Sequence, residues 1–170
     1  MENISPSSIN SLMNLIEGAS RPVIVTHMKP DGDAIGSSLA MYHFLRMSGK
    51  NDSCIVLNDR YPRYLEFLID EGARKAIRIH SENADEAIEA IRLSDLIICL
   101  DFNAFHRTEN LCQALAGSTA PKILIDHHLN PDAECFTLCF SVTKVSSASE
   151  LLYHILMAVP TIKGNASDLP

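Results

Sequence analysis

Short apolar runs alternate along the chain with longer segments in which apolar residues recur at helical spacing. The apolar runs, rich in β-branched residues, predict buried strands at residues 22–26, 53–57, 76–79, 95–100, 122–125 and 136–140. The run at 76–79 is weak, and the run at 136–140 has the character of an edge strand. The helical segments lie at residues 8–18, 33–48, 61–69, 83–93, 108–116 and 147–158. This alternation predicts an α/β, doubly wound fold with helices on both faces of a mostly parallel, five-stranded sheet.

An acid-rich turn follows the first predicted strand. Residues 27–38 read HMKPDGDAIGSS and place His27, Asp31 and Asp33 between that strand and an apolar helix. Open α/β sheets bind their ligands at the carboxyl ends of the strands. Carboxylate oxygens with one imidazole suit a catalytic divalent ion better than a structural one. The alternative is a plain turn, closed by hydrogen bonds from the aspartates to the backbone.

Two other predicted strands also end in polar residues. One ends at Asp101, and the other ends at the run Asp126, His127 and His128. Taken alone, Asp101 could be a loop residue or a helix N-cap, and adjacent histidines are often surface residues. In a parallel sheet, however, the carboxyl ends of the strands share one edge, so the three motifs should converge. Carboxylates clustered there would repel one another without cations, and the sequence therefore predicts bound metal ions.

Composition sets the class of protein. The 170 residues fit one domain, and 46% are hydrophobic, which is enough for a core. The sequence contains no apolar run of eighteen residues, so no membrane span is expected, and the polar N-terminus lacks the pattern of a signal peptide. The five cysteines are odd in number and show no CxxC pair, which favours reduced thiols in a cytoplasmic protein.

The net charge of -7 bears on the choice of partner. It argues against a protein that holds long duplex nucleic acid on a basic surface. It does not argue against a small phosphorylated substrate, since bound metal ions would supply the positive charge that such a substrate needs.

The three motifs, in this order, resemble those of a known family. HMKPDGDAIGS, then a strand ending in CLDFN, then LIDHH, are similar to the DHH superfamily of phosphoesterases, in particular its nanoRNase and pAp-phosphatase branch (pAp is 3′-phosphoadenosine 5′-phosphate). The similarity spans roughly residues 10–158. The segment 146–151, SSASEL, also resembles the helix start that follows the third motif in that branch.

The resemblance implies a centre of two manganese ions. It assigns His27 and Asp31 to one ion, Asp33 and His127 to the other, and Asp101 to both. Mixed imidazole and carboxylate ligands favour Mn²⁺, with Mg²⁺ or Co²⁺ as substitutes. Two such ions about 3.5–4 Å apart can share and activate one water molecule and clamp a phosphoryl group.

Three further residues complete the expected site. The resemblance implies that His128 contacts the substrate phosphate and that Asp126 orients the site from behind it. Asp101, Asp126 and His128 are thus the predicted catalytic residues. Arg107, six residues past Asp101, could reach a substrate phosphate, or it could be a solvated residue at a helix start.

The end of the chain departs from the family pattern. Residues 1–160 match the DHH-type domain, whereas residues 161–170 form a polar tail that is expected to stop before a fourth motif. Asp168 is the last aspartate, and its neighbours do not match that motif. The second, smaller substrate-binding domain of the family is expected to be absent.

These expectations define one leading function and two alternatives. The leading hypothesis is metal-dependent hydrolysis of short oligoribonucleotides, of pAp, or of both. The expected binding partners are short RNA or phosphorylated nucleotides. No membrane association is expected, and a homodimer is left open as an assembly. Within the same class, a manganese-dependent inorganic pyrophosphatase would share the metal ligands. The alternative from another class is a truncated, catalytically impaired module that binds metal or nucleotide.

Overall fold

The computed structural model describes residues 4–160 of the chain. Its strands are β1 (Pro22–Thr26), β2 (Cys54–Leu57), β3 (Ile77–Ile79), β4 (Leu96–Leu100), β5 (Lys122–Asp126) and β6 (Leu138–Ser141). Its α-helices are α1 (Pro6–Gly18), α2 (Gly32–Met47), α3 (Glu71–Ala76), α4 (Ala84–Leu93), α5 (Cys112–Gly117) and α6 (Ala148–Ala158). Short 3₁₀ helices cover Arg63–Leu68, Phe105–Leu111 and Ala133–Cys135.

The strands form one sheet in the order β3-β2-β1-β4-β5-β6, and every pairing between them is parallel. From β1 the chain first moves outward to β2 and β3, and then returns to β4 beside β1 and moves the other way. The direction therefore reverses between β1 and β4, which opens a crevice at their carboxyl ends where such sheets bind ligands. The predicted α/β, doubly wound architecture is confirmed.

The predicted count of five strands is wrong, because the sheet of the described residues has six. The run at 76–79, expected to be weak, forms the three-residue strand β3, which pairs with β2 through Ile55 and Ile77. Three residues with Arg78 at their centre are too few to show a clear apolar run, so this strand depends on its neighbour and on the packing of α4. The sheet is also wholly parallel rather than mostly parallel.

Two predicted helices differ in form from the expectation. The segment predicted as a helix at 61–69 forms the 3₁₀ helix Arg63–Leu68, which begins directly after Pro62. The segment at 108–116 is divided between the end of the 3₁₀ helix Phe105–Leu111 and α5, and Glu109, with a φ of 47°, interrupts the helical backbone inside the 3₁₀ segment. The six-residue α3 was not predicted, since it is shorter than two turns of helix.

Helices cover both faces of the sheet, which explains the continuous apolar character of the strands. Side chains of α1, α2, α3 and α6 pack on one face with residues such as Ile24 and Ile98. Side chains of α4 and α5 pack on the other face with residues such as Val25 and Ile97. Every residue of β1, β4 and β5 is buried, so the strand ends that carry the polar motifs have a rigid base.

All five cysteines have free thiols, and burial raises the pKa of Cys54 to about 11. That thiol is consequently a poor nucleophile near neutral pH. Within residues 4–160, no helix has both the length and the apolar character required to cross a membrane.

The central strand β4 offers a test of the packing. Ile98 is fully buried between the sheet and the helices α1, α2, α3 and α6. Ile98→Ala should lower the free energy of unfolding by about 2–5 kcal/mol, because it removes apolar contacts and leaves a cavity. The half-exposed Leu93 at the end of α4 is the control, and Leu93→Ala should cost less than about 1 kcal/mol. Equal losses in urea titrations of both variants would contradict this packing.

Candidate metal centre

The three sequence motifs meet at the carboxyl edge of the sheet. His27 follows β1, Asp101 follows β4, and β5 ends at Asp126 with His127 and His128 directly after it. Since β1, β4 and β5 are neighbours in the sheet, the side chains converge at the crevice between β1 and β4. The structure therefore brings the three motifs together, as the sequence predicted.

Asp101 lies at the centre of this cluster. Its side chain is only 4% exposed, and its Oδ1 is buried without a hydrogen-bond partner among the described residues. Oδ2 lies 3.5 Å from Nε2 of His27, whereas Oδ1 lies 3.4 Å from Nε2 of His127. A buried carboxylate oxygen without a partner is costly. The arrangement fits cations, because a metal ion on either side would satisfy one oxygen each.

One candidate ion site consists of His27, Asp31 and Asp101, whose ligand atoms lie within 4.8 Å of one another. Nδ1 of His27 lies 2.7 Å from the carbonyl oxygen of Met28. Because a carbonyl can only accept, Nδ1 carries the hydrogen and Nε2 presents its lone pair to the two carboxylates in the neutral ring. Asp31 also caps α2, since its Oδ1 accepts hydrogen bonds from the amides of Asp33 and Ala34.

A second candidate site on the other side of the same carboxylate consists of Asp101, His127 and His128. The fully buried Asp126 holds His128 in place: Oδ1 lies 2.7 Å from Nδ1 of the ring, and Oδ2 accepts from the His128 amide at 3.1 Å. Nε2 of His128 is therefore the ring nitrogen left for a ligand.

Asp33 lies beside this second group but is fixed by another element. Its Oδ2 accepts a hydrogen bond from the amide of Ala148 at 2.7 Å, and its Oδ1 accepts from the amide of Ser149 at 2.8 Å. These donors are the first amides of α6, which favour a negative charge. Oδ2 is also 3.8 Å from Nε2 of His127. The start of α6 thus places Asp33 next to His127, and the assignment of both residues to one ion stays a prediction.

Burial and charge shift the protonation of the two central groups. Burial raises the pKa of Asp101, and this exceeds the opposing effect of its hydrogen bond with His27. Burial disfavours the charged ring of His27, but hydrogen bonds with Asp101 and the Met28 carbonyl, together with nearby carboxylates, raise its pKa overall. The pair therefore binds protons more tightly than isolated groups, and a metal ion must compete with those protons.

Arg107 is the remaining predicted site residue, and Ser37 and Ser38 are the last two residues of the segment 27–38. The exposed Arg107 accepts a hydrogen bond at its carbonyl from the amide of Met28, at 2.8 Å, so its loop adjoins the first motif. Its role toward a phosphate stays a prediction. The hydroxyls of Ser37 and Ser38 are buried and donate to carbonyl oxygens within α2, so both serve the helix. The tail 161–170, including Asp168, lies outside the described residues.

The sequence did not predict a hydrogen-bonded cluster of polar side chains at the end of β2. The buried Asn58 donates through Nδ2 to Asp59 and Glu109, and its Oδ1 accepts from the amide of Asn110. Asp59 in turn accepts from the amide of Lys29 at 2.9 Å. These bonds join the loops after β1, β2 and β4. The sequence did contain one indication of this cluster, because Asn58 follows an apolar run directly, as Asp101 does.

Comparison with protein families gives one match that covers most of the chain. The model for the N-terminal domain of the DHH family matches residues 21–169. NrnA of Thermus thermophilus, a bifunctional oligoribonuclease and PAP phosphatase, is 41% identical over 64 residues, which cover 37% of this chain and 18% of that protein.

Two solved structures are similar to the chain. An exopolyphosphatase-related protein from Bacteroides fragilis superimposes with a TM-score of 0.87 at 33% identity, over 96% of this chain and 46% of that one. RecJ from Thermus thermophilus, in complex with Mn²⁺, has a TM-score of 0.52 at 16% identity, over 95% of this chain and 22% of that one, and shows a shared fold alone. This chain spans less than half the length of each of the three proteins.

Proposed function

Because the chain belongs to the DHH family, we propose that it is a phosphoesterase that hydrolyses short oligoribonucleotides, pAp, or both, with two divalent metal ions. NrnA, the relative described as an oligoribonuclease and PAP phosphatase, supports this choice of substrates. The observation that carries the proposal is the position of Asp101. One buried carboxylate faces two different groups of metal-binding side chains, with one oxygen toward each.

The proposed ligand assignment comes from the resemblance to the family. His27 and Asp31 would hold one ion, Asp33 and His127 would hold the other, and Asp101 would serve both. Asp33 lies 3.8 Å from His127, whereas the side chains grouped with that histidine in the structure are Asp101 and His128.

Nitrogen and oxygen donors of this kind suit Mn²⁺, with Mg²⁺ or Co²⁺ as substitutes. Thiolates, the ligands typical of structural zinc, are not among the proposed ligands, because Cys99 of the second motif is fully buried in the core on the face covered by α4 and α5. When bound, the two ions would supply Lewis acidity and lower the pKa of a shared water.

The chain's own residues bind and orient the substrate. Asp126 accepts from Nδ1 of His128 and so fixes the ring, and the doubly protonated, positively charged ring would donate through Nε2 to a phosphate oxygen. The exposed guanidinium of Arg107 contacts a second phosphate oxygen, since its loop adjoins the first motif. Both contacts become stronger as negative charge increases on the phosphoryl oxygens.

A comparison of substrates tests this proposal on the 170-residue chain. With Mn²⁺, we expect the release of mononucleotide from the dinucleotide pApA and of phosphate from pAp, at rates at least about tenfold above those for pyrophosphate or linear polyphosphate. A metal chelator should abolish both reactions. Faster hydrolysis of pyrophosphate or polyphosphate would instead assign the site to phosphoanhydrides. Binding of Mn²⁺ with no hydrolysis of any of the four substrates would favour a non-catalytic module.

A further inference from the structure

The 3₁₀ helix Arg63–Leu68 presents two aromatic rings to solvent. Tyr64 is 71% exposed and Phe67 is 82% exposed. In a 3₁₀ helix, side chains three residues apart lie on the same side, and the rise between them is about 6 Å. The two rings therefore form one surface on one side of the helix.

This helix is anchored directly beside the metal centre. Leu65, on another side of the helix, is buried, and its Cδ2 would lie 3.9 Å from a Cβ atom at Gly32. Gly32 stands between Asp31 and Asp33 at the start of α2. An ion pair between Glu66 and Arg74 fastens the helix to α3 on its other flank. The helix that carries the aromatic surface is thus packed against the turn that contains Asp31 and Asp33.

Cations without an ion pair within 4.0 Å lie at the same edge of the sheet, and the charge of one of them, Lys29, also acts on the carboxylate of Asp59. In residues 4–160, five lysine and arginine side chains have neither an ion pair within 4.0 Å nor a side-chain hydrogen bond. Four of the five lie on segments that follow the carboxyl ends of strands, namely Lys29, Arg63, Arg107 and Lys144. The fifth, Arg21, lies directly before β1 at the opposite edge. In a chain of net charge -7, this placement favours an anion at the carboxyl edge.

We propose that Tyr64 and Phe67 form a stacking surface for a nucleobase of the substrate, with Lys29 and Arg63 beside it as contacts for phosphates. The inference rests on the proposed function and deepens it, since it assigns the subsite that distinguishes an oligonucleotide from a simple phosphate ester. Aromatic rings combined with basic side chains are how proteins bind single-stranded nucleic acid without sequence preference.

The area of the surface favours a base over a second copy of the chain. Two aromatic side chains offer at most about 500 Å², whereas a stable interface buries about 800 Å² on each partner. A base needs only the face of one or two rings. The anchoring of the helix at Gly32, between Asp31 and Asp33, also suits a nucleotide whose phosphate lies at the metal centre.

The test is equilibrium binding of a hydrolysis-resistant phosphorothioate form of pApA to the Mn²⁺-loaded chain, measured by titration calorimetry. The double variant Tyr64→Ala, Phe67→Ala should raise the dissociation constant about 5- to 150-fold, the range expected for loss of one stacked base. An abasic analogue with the same phosphates should bind both proteins equally. The exchange Tyr64→Phe, Phe67→Tyr should restore tight binding, because it keeps both rings.

Tyr153→Ala is the matched control, since Tyr153 is 60% exposed on α6 and should leave the dissociation constant unchanged. If the wild-type chain binds the dinucleotide and the double variant binds it equally well, the stacking surface is wrong while the proposed function stands. If sedimentation shows that the double variant instead dissociates a dimer at unchanged affinity, the surface is a subunit contact, which also overturns the inference. If the wild-type chain binds no dinucleotide, the proposed function itself fails, and this inference fails with it.

Discussion

Replacing Asp101 with Asn is expected to reduce Mn²⁺-dependent hydrolysis of pApA by about 10³-fold or more. The two oxygens of Asp101 face different histidines, at 3.5 Å and 3.4 Å. An amide has one oxygen and no charge, so it can serve one ion at most. Steady-state rates of the two proteins at saturating Mn²⁺ measure the effect.

The same substitution should leave the fold intact. Asp101 has a φ of 64°, a left-handed conformation that Asn tolerates better than other non-glycine residues. The wild-type carboxylate is buried with one unpartnered oxygen, so removal of its charge should not lower the melting temperature of the metal-free protein. Asp52→Asn, at an exposed turn between α2 and β2, is the matched control and should keep full activity. An Asp101→Asn protein that retains activity within about tenfold of the wild type would refute the bridging role.

Removing the carboxylate of Asp126 should have the next largest effect. Asp126→Ala is expected to lower kcat about 10- to 100-fold, because His128 loses the group that orients its ring at 2.7 Å. The free energy of unfolding should also fall by about 1–3 kcal/mol, since the His128 amide loses its acceptor. Assays of kcat and urea titrations of the same preparation give both values.

The control for this change is Asp95→Ala at the opposite edge of the sheet. Each carboxylate oxygen of Asp95 accepts one hydrogen bond, as in Asp126, but both donors are backbone amides, those of Ser20 and Arg21. Its removal should cost stability but leave kcat unchanged. If Asp126→Ala keeps full activity in spite of its lower stability, then His128 does not depend on Asp126 for its position in the reaction.

The fold was largely predictable because its signals are local. β1, β4 and β5 are buried on both faces, so they appear in the sequence as continuous apolar runs that stop at polar residues. Parallel pairing then places the polar ends at one edge, which is why His27, Asp101 and Asp126 could be assigned to one site. β3 gave only the weak signal at 76–79, because a three-residue strand is stabilised by its partner β2 rather than by its own pattern.

The contacts that complete the site could not be predicted from local patterns. Asp33 is fixed by amides of Ala148 and Ser149, more than a hundred residues away, and this bond exists only because α6 packs against α2. The link from Asn58 to Glu109 likewise joins loops that only the folded sheet brings together. The assignment of ligands to particular ions came from the resemblance to the family rather than from the pattern of the residues.

The claim that Asp101 joins two metal sites is tested most directly by the number of Mn²⁺ ions that the chain binds and by the magnetic coupling between their electron spins. Titration calorimetry with electron paramagnetic resonance should show two ions per chain with coupled spins in the wild type. Asp101→Asn should bind at most one ion tightly and show no coupling. Two ions that bind without coupling, or an Asp101→Asn protein that still binds a coupled pair, would contradict the claim that Asp101 joins two metal sites.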